Sequence, residues 1–262
     1  MKLIITALLV ILGIFILKNR ETNYQPIRKP LATATLKPDP SPLKLNYNNR
    51  DYAVYLQKIE PDKVILIPNF TEKKSAATLM KEFKCKYGVN GGFYTPDHKP
   101  LGVFHAGEFD QRKSHNESLF NGYVHKPAGG SLHIGSEYIP NFRDISIEFI
   151  FQSGPLFTPQ TKLKMQNDEL ARRMLIGKTG QEEYFFLAVT EAGNVNSGPY
   201  LADLPQILTL FNNSQPASPA GKQLTTLLNL DGGSASAFRD DVGVTLGELT
   251  PIGSFLCGRE TP

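Results

Sequence analysis

The sequence lacks the short motifs that mark several common kinds of site. Its 262 residues include only two cysteines, Cys85 and Cys257, and neither belongs to the C-x-x-C pair that a zinc or redox site uses. The five histidines form no H-x-x-x-H or H-E-x-x-H pattern, so the zinc-protease arrangement is not indicated. A G-x-S-x-G elbow is also absent, and the sequence therefore does not predict a Ser-His-Asp hydrolase.

The body of the chain has no excess of positive charge. Residues 1–46 hold seven of the 28 Lys and Arg residues and two of the 25 Asp and Glu residues. Residues 47–262 are therefore slightly acidic. A nucleic-acid-binding domain normally carries a basic face, and we expect no nucleic-acid partner.

The two cysteines allow two interpretations. In an oxidising compartment they could form a disulfide that joins the C-terminal strand to the core. In a reducing compartment they would be two buried thiols. The sequence leaves both possibilities open.

An apolar run near the N-terminus predicts a membrane segment. Leu3–Leu17 is interrupted only by Thr6 and Gly13. As a helix it would span roughly 22 Å, less than the ~30 Å hydrocarbon core. Because no A-x-A-like cleavage site follows, we expect residues 1–20 to form a signal anchor, with a cleaved signal peptide as the alternative.

Residues 21–46 predict a linker, because five prolines lie among threonine, lysine and asparagine. This composition favours extended conformations over a packed core. The sequence therefore predicts one folded domain, residues 47–262, held away from the membrane.

Within this domain, short apolar runs alternate with Gly, Pro, Asn and Asp, a pattern typical of strands. Helical spacing of apolar residues follows a predicted N-cap at Thr71 and recurs over Leu201–Phe211. A third, shorter helix is predicted at residues 223–228. We expect an α+β fold in which a strand-rich mixed sheet is covered by two or three helices.

Four short motifs combine glycine with polar side chains. They are Asn90–Tyr94, Gln152–Phe157, Arg172–Gly177 and Asn229–Ser236. Paired glycines let the backbone approach a ligand closely, and the last motif adds a carboxylate and hydroxyls suited to a sugar or phosphate. Each motif alone is also compatible with a structural turn.

In this order and spacing, the motifs resemble the phosphodiester glycosidase family. The family's Asn-Gly-Gly-Phe-Phe-like turn, Pro-x-Gly, Gly-Pro-x-Leu, Arg-x-x-x-Gly and Leu-Asp-Gly-Gly-x-Ser elements correspond to Asn90–Tyr94, Pro100–Gly102, Gly154–Leu156, Arg173–Gly177 and Leu230–Ser234. The resemblance covers residues 50–258. It implies hydrolysis of a glycosyl-1-phosphodiester, between sugar C1 and phosphate, in a cell-envelope or other extracytoplasmic glycan.

The predicted catalytic residues are Asp231 and Arg173. Phosphate leaves readily, so such an enzyme depends on stabilising charge on the leaving group. Arg173, which aligns with the family's arginine, is predicted to do this, with a structural salt bridge as the alternative. Asp231 could stabilise the oxocarbenium-like centre, activate water, hold sugar hydroxyls or only cap its own turn.

The other predicted site residues would bind substrate, with the glycines supplying either backbone amides or clearance. They are Asn90, Gly91, Gly92, Phe93, Ser153, Gly154, Gly232, Gly233 and Ser234. We predict surface or packing roles for the histidines, with His115 as an alternative acid or base. No metal site and no obligatory cofactor are expected.

Two other functions remain open on the sequence alone. One is a phosphodiesterase that cleaves at phosphorus, and the other is a non-catalytic module that binds glycans. In each case the expected partners are a phosphate-linked glycan or sugar-1-phosphodiester and the membrane, reached through residues 3–17. The domain is expected to be extracytoplasmic, and secreted if the N-terminal segment is cleaved.

Overall fold

The computed structural model describes residues 42–115, 117–137, 146–214 and 223–260. The predicted anchor, residues 1–20, and most of the predicted linker lie outside these residues. Within the described residues, no helix is both long enough and apolar enough to cross a membrane.

Strands dominate the described part of the chain. Sixteen strands are described: β1 (Leu43–Tyr47), β2 (Arg50–Ile59), β3 (Val64–Pro68), β4 (Cys85–Asn90), β5 (Phe104–Ala106), β6 (Phe109–Gln111), β7 (Gly122–Pro127), β8 (His133–Gly135), β9 (Ile147–Ser153), β10 (Leu156–Phe157), β11 (Arg173–Thr179), β12 (Tyr184–Glu191), β13 (Leu224–Asn229), β14 (Phe238–Arg239), β15 (Thr245–Leu246) and β16 (Ser254–Arg259). Two α-helices are described, α1 (Ala76–Glu82) and α2 (Leu204–Ser214), with short 3₁₀ turns at Leu201–Asp203 and Gly233–Ala235.

The strands form three sheets. Their orders are β1-β2-β12-β11-β13-β10, β15-β14-β4-β16-β3 and β6-β5-β9-β7-β8. Every pairing among these named strands is antiparallel. The strand-rich prediction is confirmed, but the prediction of a mixed sheet is wrong. Antiparallel strands do not need the helical crossovers that parallel strands require, which is consistent with the short helices.

Three local predictions need correction. Residues 224–229 form β13 rather than a third helix, because this segment is paired on both sides, with β11 and β10. The first helix begins after Ser75, not Thr71: Ser75 Oγ accepts a hydrogen bond from Thr78 N at 3.2 Å. Residues 43–46, assigned to the linker, lie in β1 and pair with β2.

The six-stranded sheet is covered on both faces. Met174 and Ile176 of β11 belong to the large core shared with the other sheets, whereas Leu175 between them belongs to the cluster under α2. Ile207 and Phe211 of α2 pack into that second cluster. The alternation follows from the two-residue period of a strand, and it fixes the register of β11.

Cys85 of β4 and Cys257 of β16 form a disulfide, with Sγ atoms 2.00 Å apart. The bond joins two neighbouring strands of the second sheet. Of the two interpretations left open by the sequence, the structure contains the disulfide.

Candidate active site

Three strands, one from each sheet, end at the same place. β4 ends at Asn90, β9 at Ser153 and β13 at Asn229. Ser153 Oγ donates to Asn229 O at 2.7 Å, and just beyond the strand ends Asp231 N donates to Gly91 O at 3.1 Å. The fold therefore brings these three sequence motifs together, and the fourth joins them because Leu230 N donates to Met174 O at 2.8 Å.

Asn90 links two of these motifs and is not placed to bind a ligand. Its side chain is buried, and Nδ2 donates to Asp231 O at 2.8 Å and to Gly91 O at 3.1 Å. Oδ1 accepts from Ala237 N at 2.9 Å. The predicted substrate contact is instead a side chain that holds the backbone of Asp231 in place.

We expect Asn90→Ala to lower the free energy of unfolding by about 3 kcal/mol, because two backbone groups lose their partner. Urea denaturation followed by circular dichroism measures the change. The control is Asn46→Ala: Asn46 is exposed and its side chain donates to Asp51 Oδ1 at 2.7 Å, so we expect a change within about 0.5 kcal/mol. Equal effects of the two substitutions would contradict the role given to Asn90.

Gly91 and Gly92 serve close packing. Both are buried. Gly91 N donates to Ser254 O at 2.8 Å, and a Cβ at this position would collide with Ser254 Oγ. A Cβ on Gly92 would lie 2.9 Å from Gln152 O. These glycines provide clearance between strands rather than amides for a ligand.

Ser153 and Gly154 also belong to the framework. Ser153 is fully buried, and its hydroxyl is bonded to Asn229 as described above. Gly154 O accepts from Asn229 Nδ2 at 3.0 Å, and a Cβ on Gly154 would collide with Leu119 O. In the structure their polar groups satisfy the end of a neighbouring strand, and substrate contact by these two residues stays a prediction.

Asp231 is the acidic group at this junction. It is half-buried, and burial raises the pKa of its carboxyl to about 7, although the N–H of Gly232 partly opposes the shift. Tyr94 lies close enough for the charge of Asp231 to raise the pKa of its hydroxyl, an effect smaller than that of burial. The Tyr94 hydroxyl donates to Pro251 O. A carboxyl with this pKa exchanges a proton readily at neutral pH.

Arg173 forms a salt bridge away from this carboxyl. Its Nη2 donates to Asp168 Oδ1 at 3.3 Å and to Glu169 O at 2.5 Å, and its Nε donates to Pro199 O at 3.0 Å. Burial lowers its pKa, and the charge of Asp168 opposes that shift. The geometry matches the structural alternative given for Arg173, because the guanidinium is already bonded on two sides.

Arg172 immediately precedes β11, and its side chain bonds to the glycine motif that follows Asp231. Only 1% of its surface is exposed. Nε donates to Gly233 O at 2.9 Å and to Ser236 Oγ at 2.7 Å, and Nη2 donates to Ser236 O at 2.6 Å and Gly247 O at 2.7 Å. Both neighbouring arginines are therefore bonded to groups of the protein itself.

Gly232, Gly233 and Ser234 form the accessible side of the loop. The two glycines are half-buried and Ser234 is exposed. Gly233 has a φ of +63°, a conformation that favours glycine. Ser234 O accepts from Leu249 N at 2.7 Å and Thr250 N at 3.0 Å. These three residues, unlike the buried ones above, are placed where a ligand can reach them.

Phe93 contributes to an aromatic row beside the junction. Its ring centroid lies 5.2 Å from that of Phe120, which lies 4.8 Å from that of His115. Gln152 holds the segment that carries the latter two: Nε2 donates to His115 O at 2.8 Å and Phe120 O at 2.6 Å, and Oε1 accepts from His115 N at 2.8 Å.

Sequence reasoning assigned no role to Gln152, Tyr94 or Arg172, whose side chains hold backbone groups around this junction. Gln152 and Tyr94 lie within the motifs, and a glutamine that follows the apolar run Phe149–Phe151 is a usable signal for an internal hydrogen-bonding role. For Arg172 no comparable signal existed, because strand alternation shows only that it and Arg173 face opposite ways.

The described histidines are distributed over separate contacts. His125 and His133 stack with ring centroids 4.9 Å apart, and His115 Nε2 lies 3.1 Å from Glu117 Oε1. In the described ranges, no group of three His, Cys, Asp or Glu side chains is arranged to hold a metal ion.

Two solved structures share this fold. The catalytic domain of zebrafish N-acetylglucosamine-1-phosphodiester alpha-N-acetylglucosaminidase, auto-inhibited by its pro-peptide, aligns with a TM-score of 0.58 at 13% identity, over 84% of this chain and 82% of that one. A hypothetical protein from Synechocystis aligns with a TM-score of 0.52 at 14% identity, over 82% of this chain and 61% of that one. A sequence search of curated proteins found no match.

The family model for phosphodiester glycosidases matches residues 83–250. The matched segment contains both Asn90 and Asp231, which the structure joins through a hydrogen bond. The chain belongs to the phosphodiester glycosidase family, which confirms the resemblance seen in its motifs.

Proposed function

We propose that the protein hydrolyses glycosyl-1-phosphodiesters, with Asp231 as the acid–base residue. The observation that carries this proposal is a carboxyl with a pKa of about 7, placed where three strand ends meet in a phosphodiester glycosidase. The zebrafish neighbour is named for a diester of N-acetylglucosamine 1-phosphate, and this compound is therefore the first substrate to test.

In the proposed reaction, water attacks sugar C1 and the C1–O bond breaks. The electron pair of that bond leaves with the phosphate, so little proton donation to the leaving group is needed. The ionised Asp231 accepts the proton of the attacking water. Since Arg173 is engaged by Asp168, we do not assign the leaving group to it.

We further propose that the domain works outside the cytoplasm. The Cys85–Cys257 disulfide supports this location, because disulfides persist mainly in oxidising compartments. The apolar run at residues 3–17, together with the predicted linker, supports attachment to a membrane. Protease accessibility of the domain in intact cells, compared with lysed cells, tests the location; protection in intact cells would contradict it.

The reaction is tested by incubating the purified protein with the methyl diester of N-acetylglucosamine 1-phosphate in H₂¹⁸O. We expect free sugar and methyl phosphate in equal amounts, with the heavy oxygen in the sugar. Heavy oxygen in the phosphate would instead identify cleavage at phosphorus. Binding without turnover, across diesters of several sugars, would favour the glycan-binding module.

A further inference from the structure

We propose that the accessible loop Gly232–Ser234 binds the phosphate of the diester, and that the buried guanidinium of Arg172 supplies the positive charge for this binding. This inference rests on the proposed function and deepens it, because it names the charge that recognises the anionic part of the substrate. It reverses the sequence expectation, which gave that task to Arg173.

The hydrogen bonds of Arg172 go to neutral groups. Its partners are the carbonyl oxygens of Gly233, Ser236 and Gly247 and the hydroxyl of Ser236. A carboxylate is the usual partner of a buried arginine, and burying a cation on dipoles alone is costly. The positive charge beneath the loop is thus only partly compensated within the described residues.

Glu248 is the acidic residue whose charge opposes the lowering of the Arg172 pKa by burial. Its carboxylate is held elsewhere, because Oε1 accepts from Ala76 N, the first residue of α1, at 2.8 Å. Arg173, by contrast, has Asp168 directly on its guanidinium. Of the two neighbouring arginines, Arg172 therefore keeps more positive potential for a ligand.

The hydrogen bonds also orient the loop. Arg172 Nε draws the carbonyl oxygen of Gly233 inward. In a trans peptide the C=O and the following N–H point in opposite directions, so the N–H of Ser234 points away from Arg172, towards the exposed side of the loop. A phosphate there would meet an amide donor with a buried cation behind it, and Asp231 precedes the same loop.

The test measures binding of dimethyl phosphate, a diester whose single negative charge does not change between pH 6 and pH 9, by calorimetry. Calorimetry measures binding without turnover. The phosphate site can therefore be disproved even if the protein hydrolyses the diester, and it can be confirmed even if no hydrolysis is found. We expect Arg172→Gln to weaken binding about tenfold or more. Lys178→Gln removes one positive charge from β11, where Lys178 pairs with Glu182, and is expected to leave the affinity unchanged.

Arg172→Lys provides a second test that keeps a charge at this position and does not depend on the folding of Arg172→Gln. A buried lysine has a lowered pKa, whereas arginine stays protonated. The affinity of the lysine variant relative to wild type is therefore expected to fall between pH 6 and pH 9. No binding by wild-type protein, equal weakening by Lys178→Gln, or a ratio that does not change with pH would each overturn the proposal.

Discussion

Replacing Asp231 with asparagine is expected to lower the rate of diester hydrolysis by about 10²- to 10⁴-fold, the usual contribution of a general acid–base residue. The same substitution is expected to make the protein more stable above pH 7. Burial is the cause of both effects. It raises the pKa of the carboxyl into the range useful for proton transfer, and it makes the ionised form costly in the folded protein.

The pH dependence of this stabilisation follows from the pKa of about 7, raised from 3.8 by burial. Between these values the folded protein keeps a proton that the unfolded chain has released, so the wild-type protein loses stability as the pH rises from about 4 to about 7. Above pH 7 the ionised carboxylate costs up to about 4 kcal/mol. Asparagine has the same shape and no charge to bury.

Urea denaturation of the wild type and Asp231→Asn at pH 4 and pH 8 measures this difference. We expect similar stability at pH 4 and a more stable variant at pH 8. The control is Asp97→Asn, because Asp97 is exposed and its substitution is expected to change stability little at either pH. A variant that hydrolyses the diester at the wild-type rate would remove Asp231 from the mechanism.

The activity of the wild type should follow the same ionisation. If the ionised Asp231 accepts a proton from water, kcat/KM is expected to rise as the pH increases through about 7 and then to level off. A pH–rate profile on the same diester measures this. A profile that falls through this range would show that the protonated carboxyl is the reactive form, and Asp231 would then act as an acid.

The motifs mark segments that meet in the structure, but they do not show how each side chain is used there. The sequence predicts that Asn90 and Ser153 bind substrate, because each is a polar residue beside glycine in one of the motifs. In the structure they bind backbone groups instead, since three strands end here and their N–H and C=O groups need partners. Local sequence cannot separate these uses, because both require the same donors and acceptors.

Fold predictions failed where pairing partners decide the structure. Residues 224–229 contain three leucines and suit a helix or a strand. They form β13 because β11 and β10 supply hydrogen bonds on both sides. Helix α2 was predicted correctly from its own periodicity, since its apolar stripe needs only one surface to pack against.

Removing the disulfide is the second change with a large expected effect. The bond closes a loop with a sequence separation of 172 residues, most of the described domain. Chain-entropy reasoning gives a loss of about 5 kcal/mol when such a loop is opened. We expect Cys85→Ala/Cys257→Ala to lower the urea midpoint strongly without changing the pKa of Asp231, because the bond lies at the far end of β4 from Asn90.

Wild-type protein reduced with dithiothreitol is the matched comparison for this variant, because it keeps both side chains but not the bond. Both proteins are expected to show the same reduced stability, and the activity that remains at low temperature should keep its pH profile. Equal stability of the oxidised wild type and the variant would contradict the expectation. An effect of the expected size would leave the domain short of stability wherever thiols are kept reduced, and this result would support the proposed location outside the cytoplasm.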